Sequence, residues 1–150
     1  MLDANGSGRI GQSDISRSER MLIEHLAFVV KDPEAVCTWY CSHLGLRELR
    51  RGGGGDIFVC DEEGSTILQL EDARLVSEDE DIADYANRDA RQLHLAFCTE
   101  DVIGECERLE AAGAVREGDA LVTEDGDEMV LMRDPWGLPF QLVKRKEKMK

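Results

Sequence analysis

The chain has 150 residues, 42% of them apolar, which is enough for one packed unit, and it carries a formal net charge of −14. Nucleic-acid binding rests on Lys and Arg neutralising phosphates, so that charge excludes nucleic acid as a natural partner, and it favours a neutral or cationic small ligand over a polyanion. Five cysteines without a C-x-x-C pair fit neither a disulfide framework nor a zinc ribbon, and no apolar run reaches the roughly 20 residues of a membrane span, so a cytoplasmic protein with no membrane partner is expected.

In chain order, residues 1–20 are polar, aperiodic and without the apolar centre of a signal peptide, and they are expected to form a flexible N-terminal arm. The first folded stretch spans residues 21–71. "MLIEHLAFVV" predicts a strand rich in β-branched and aromatic residues. "KDPEAVCTWYCSHLGL" predicts a helix with Asp32 as N-cap, Pro33 in the first turn and Gly45 as the stop. "LRELRR" and "DIFVCD" predict two strands joined by Gly52–Gly55, which has no following helix and so suits a hairpin rather than a phosphate cradle. "STILQLED" predicts the last strand of this half. Cys37 and Cys41 stand four apart on the helix, where buried thiols are expected in preference to a ligand or redox pair.

Residues 72–91, with an acidic centre, are expected to be an exposed linker containing one short helix at most. The same order then resumes over residues 92–145. "QLHLAFCT" is a strand, "EDVIGECERLEAAG" a helix with an apolar stripe of Val102, Ile103, Cys106 and Leu109, and "AVREG", "DEMVLMR" and "LPFQLVKR" are three strands. Asp134-Pro135-Trp136-Gly137 forms the turn before the last of them, and residues 146–150 are a solvated basic tail.

The two halves also share letters. His-Leu-Ala-Phe occurs at His25 and again at His94, and at the same offset Asp32 falls on Asp101 and Cys37 on Cys106. Strand alternation puts His25, Ala27 and Val29 on one face, and His94, Ala96 and Cys98 on the equivalent face. The more apolar opposite faces belong under the helices.

Two tandem strand-helix-strand-strand-strand units with paired histidine strands and an Asp-Pro-aromatic-Gly turn resemble the vicinal oxygen chelate superfamily. That group includes glyoxalase I, methylmalonyl-CoA epimerase, extradiol dioxygenases, and fosfomycin- and bleomycin-resistance proteins. The likeness covers about residues 21–145, and "HLAFVVKDPEAVCTWYCSHLGL" and "HLAFCTEDVIGECERLEAAGA" carry most of it. It implies an α+β fold of two βαβββ modules that form a cupped, incompletely closed mixed sheet with the helices outside. It also implies a divalent metal (Zn, Ni, Co, Mn or Fe) held by the first and last strands of each module. By the resemblance these positions are His25, Gln69, His94 and Gln141.

The position of Gln141 resembles a glutamate in glyoxalase I, where it binds metal and moves the substrate proton; in the epimerase and in the extradiol and fosfomycin-type sites it also resembles glutamate. An amide brings no charge and is no general base. Glu71, two residues beyond Gln69 on the same strand face, is the nearby candidate base if the strand shifts or bulges. Gln69, Gln141 and Trp136 are candidate ligand-binding residues. Two expectations follow: a binding protein like the bleomycin-resistance proteins with a weak metal site, or a metal-dependent lyase or isomerase of the glyoxalase type. A homodimer is expected in either case, because relatives complete the concavity with a partner.

Overall fold

The computed structural model describes residues 21–149, and the arm expected over residues 1–20 lies outside them. The first half runs β1 (Leu26–Val30), α1 (Pro33–His43), β2 (Arg47–Arg51), β3 (Ile57–Cys60) and β4 (Ile67–Asp72), followed by the one-turn α2 (Ala73–Val76). The second half runs β5 (Leu95–Cys98), α3 (Val102–Ala111), β6 (Val115–Arg116), β7 (Leu121–Val122), β8 (Glu128–Arg133) and β9 (Pro139–Lys144). β7 is an addition to the predicted order. Both histidine strands start later than the sequence suggests. Pairing begins at Leu26 opposite Leu68 and at Leu95 opposite Phe140, so the residues before them lie outside the ladders although β4 and β9 each start one residue earlier.

Both helices begin in the same way. The Asp32 carboxylate accepts the Ala35 N–H at 3.0 Å and the Asp101 carboxylate accepts the Gly104 N–H at 2.9 Å, each satisfying a donor that a helix start leaves free. Gly45 and Gly113 then turn the chain out with φ of 71° and 98°.

The two sheets have matching orders, β1-β4-β3-β2 and β5-β9-β8-β6, and in each the histidine strand lies parallel to the last strand of its half. One face of each sheet is apolar: Phe28, Val30, Leu68 and Leu70 in the first, Val130, Met132, Phe140 and Leu142 in the second. All belong to one core that also contains Val36 and Tyr40 of α1 and Val102, Cys106 and Leu109 of α3. The helices therefore cover the faces opposite the histidines.

The helical sides of the two halves also meet each other. Trp39 of α1 donates its indole N–H to the Ala112 carbonyl at 2.8 Å and packs its ring 6.5 Å from that of Phe140. The Tyr40 hydroxyl donates to buried Asp134 at 2.9 Å, and Arg108 of α3 donates to the His43 carbonyl at 2.7 Å. The layers are therefore sheet, helices, sheet. β1 and β5 are the outer edges of their sheets and share no hydrogen bonds with each other.

Asp134 anchors the turn before β9, accepting from the Trp136 and Leu138 N–H groups, both at 2.9 Å. Gly137 is needed there, because an added Cβ would stand 2.8 Å from the Ala86 Cβ and 2.9 Å from its backbone nitrogen, at a φ of 90°. Arg133 fastens the connecting segment alongside, donating to the carbonyls of Tyr85 (2.8 Å), Arg88 (2.8 Å) and Gly137 (3.0 Å).

Candidate functional site

In the first sheet Ala27, Gln69 and Phe58 are aligned across β1, β4 and β3, and on the helix-free face Arg50 of β2 completes the row. His25, one residue before β1, meets the Phe58 ring edge-on at 5.8 Å and therefore belongs to this face. Its Nδ1 lies 2.7 Å from the Glu24 carboxylate, which leaves Nε2 for a ligand. Phe58 is only 8% exposed, because His25 and Arg50 cover it.

The second sheet repeats the arrangement in the same register, with Ala96 opposite Gln141 as Ala27 is opposite Gln69. His94 precedes β5 as His25 precedes β1. Its Nδ1 is buried and has no hydrogen-bond partner among the described residues. Gln141 donates weakly to the Met129 sulfur at 3.4 Å, and among the described residues its carbonyl oxygen has no donor. A groove of about 650 Å³ crosses this face, with Ala96, Cys98 and Val143 as its floor and Arg145, Lys148 and Met149 at its rim.

The alternation thus puts one imidazole and one amide on each helix-free face. Those two faces turn away from the shared core and hence away from each other. One chain brings His25 to Gln69 and His94 to Gln141, and it does not bring the two pairs together. Glu71 shares the face of Gln69, opposite Val29, and the register of β4 runs unbroken from Leu68 to Asp72. No bulge moves Glu71 into the place of Gln69; it stays roughly 6–7 Å further along the strand. Among the described residues no three His, Cys, Asp or Glu side chains form a metal-binding group.

Trp136 stands apart from these faces. It packs edge-on to Trp39 at 6.5 Å and lines a cavity of about 470 Å³ with Val30, Tyr85 and Asp134, on the side of the connecting segment. Cys37 is buried, and that burial, reinforced by neighbouring Cys41, pushes its thiol up to about 12, so a thiolate ligand is disfavoured. No helix among the described residues is long and apolar enough to cross a membrane. The Arg50–Phe58 pair escapes sequence reasoning, because simple alternation assigns Arg50 to the opposite face from Arg47.

Comparison with known proteins agrees with this geometry. Residues 22–142 match the family profile of the Glyoxalase/Bleomycin resistance protein/Dioxygenase superfamily. No curated protein sequence matches the chain. Among solved structures, a glyoxalase family protein from Bacillus cereus superposes with a TM-score of 0.68 at 17% identity, covering 86% of this chain and 98% of that one. A glyoxalase/bleomycin resistance protein/dioxygenase family enzyme from Burkholderia phytofirmans gives 0.64 at 16% identity, with 81% and 96% covered. The fosfomycin resistance protein FosX from Listeria monocytogenes, complexed with Mn(II) and sulfate, gives 0.62 at 14% identity, with 81% and 88% covered. With two matching half-sheets, a histidine before the first strand of each and a profile match over most of its length, the chain belongs to the glyoxalase/bleomycin resistance protein/dioxygenase superfamily.

Proposed function

We propose that this protein binds a small molecule in a cup formed by the His25 and Gln69 face of one copy and the His94 and Gln141 face of a second. The observation that carries the reading is the shared register of the two halves, which offers one imidazole and one amide twice over on surfaces that the chain's own core leaves open. Two such faces make a closed concavity only when a second copy supplies the other wall. The exposed edges of β1 and β5 are the natural seam between copies.

His25, Gln69, His94 and Gln141 would hold a divalent ion in this cup, and the FosX neighbour, solved with Mn(II), supports a divalent ion as the kind of group bound. The donor chemistry fits a weak site: two neutral imidazoles and two amide oxygens suit a borderline cation but bring no negative charge. When bound, such an ion supplies Lewis acidity to a ligand oxygen. The Nδ1 of His94 is buried and orphaned, a polar atom that a bound group reaching it would satisfy. The second reading, a metal-dependent lyase or isomerase, draws support from Glu71, the carboxylate nearest Gln69 on its own strand face. Its separation from the imidazole and amide row favours binding over proton transfer.

The deciding experiment is metal titration by calorimetry on wild type and Gln141→Glu. A carboxylate holds a divalent cation better than an amide of the same shape, so Gln141→Glu tightens binding and His94→Ala in that background removes the gain. No metal uptake by either protein would end the chelate site and leave the histidines as cavity-lining polar groups. Turnover of a hemithioacetal or acyl-CoA by wild type that Glu71→Gln abolishes would replace the binding reading with the enzymatic one.

A further inference from the structure

We propose that the cup accepts a small organic anion, a carboxylate or a phosphonate, and that Arg50 is the residue that binds its charge. This deepens the ligand-binding reading above and rests on it. The argument starts from an irregularity in β2. Glu48 lies opposite Val59 and Arg50 opposite Phe58, so Leu49 is an extra residue with no partner position of its own. Such a bulge re-aims the side chains that follow it. In a regular strand Arg47 and Arg50 would point to opposite faces; here both lie on the face of His25 and Gln69.

The bulge also divides the arginines by partner. Arg51 goes to the helix side, where Glu34 and Glu48 both pair with it. Arg50 goes to the cup, where its guanidinium sits 4.8 Å above the Phe58 ring. It makes no ion pair among the described residues, and neither does Arg47. The carboxylates of this face, Glu71 and the Glu24 that holds His25, form none with either of them.

An unpaired guanidinium is unusual on a chain of net charge −14, where carboxylates outnumber cations. The contact with the ring face limits the freedom of the guanidinium, so its N–H donors are partly positioned before any ligand arrives. A planar carboxylate or a phosphonate presents the matching pair of oxygens. The rest of the ligand then lies alongside the Arg50–Phe58 pair, towards the Gln69 amide and the free His25 nitrogen. The overall charge, which by itself favours neutral or cationic ligands, is an average, and on this face Arg47 and Arg50 offset the Glu24 and Glu71 carboxylates.

The test uses the full chain with benzoate and phenylphosphonate as anionic probes, benzamide as the neutral isostere and benzylamine as the cationic one, all followed by calorimetry. The anions are expected to bind about tenfold or more tightly than benzamide, with benzylamine weakest, and added salt should narrow the gap. Arg50→Gln should bring the anions down to the level of benzamide, while Arg91→Gln, at an exposed pair with Asp89, should leave them unchanged. Arg50 is exposed, so its replacement is compatible with folding, and a thermal melt of the variant verifies this. Benzamide binding as tightly as benzoate, anion affinity surviving Arg50→Gln, or no anion binding to wild type would each overturn the proposal. Benzamide binding that Gln69→Ala removes would keep the cup as the ligand site while ending its assignment to anions.

Discussion

Asp134 is 2% exposed and receives the Tyr40 hydroxyl from the other half of the chain, together with two backbone N–H groups of its own turn. Tyr40→Phe removes one donor from a buried carboxylate without changing the packing volume much, so it should destabilise the fold by about 2 kcal/mol in urea melts. Burial, the dominant influence, holds the Asp134 carboxyl above the ordinary carboxylate range, although its hydrogen bonds pull the other way. The sign of the pH effect follows from that direction. As pH rises from strong acid the unfolded chain releases this proton first, so the contribution of Asp134 falls until the folded carboxyl has ionised too, and it is level above that. Asp134→Asn should therefore flatten the stability profile across weakly acidic pH, and wild type should lose stability relative to it as pH rises there.

The same reasoning applies to whole elements through the repeat. Asp32 and Asp101 coincide in the repeat because each caps a helix, and Asp32→Ala or Asp101→Ala should each cost about 1 kcal/mol in thermal melts. Cys37 and Cys106 coincide because each sits on the buried side of its helix. These identities were legible in sequence, since a cap, a proline in the first turn and a strand of period two are all local patterns. The matching of Gln69 with Gln141 rested on the superfamily resemblance rather than on a local pattern, and the register places each opposite the alanine of its histidine strand. The bulge at Leu49 was not legible, because "LRELRR" is compatible with a regular strand, and only pairing with β3 selects the irregular one. The late starts of the histidine strands were missed too: strand propensity in "MLIEH" does not reveal where pairing with its neighbour begins.

At the level of the whole molecule, local patterns could not tell whether the two cups face each other or turn their backs, since either packing buries the same apolar faces. The deciding contacts are Trp39 with Phe140 and Tyr40 with Asp134, both across the halves. Met21, Leu22 and Ile23, in the segment that leads into the edge strand β1, are 90% or more exposed. Apolar side chains at a bare strand edge call for a second copy, so sedimentation at micromolar concentration should give the mass of a dimer. Ile23→Lys should shift it towards the monomer, because each transfer of such a side chain back to water forfeits about 2 kcal/mol.

The sheet-helices-sheet layering has a genetic consequence. If every cup borrows one wall from each of two chains, a His25→Ala chain and a His94→Ala chain damage different walls. In a mixed dimer both lesions fall in a single cup, and the other is built from the undamaged wall of each. Two separately inactive proteins, unfolded and refolded together, should then recover up to half the sites of wild type in their mixed dimers, whereas either one refolded alone should recover none. Two defects in the same wall, His25→Ala in one chain and Gln69→Ala in the other, leave one lesion in each cup and should show no such rescue.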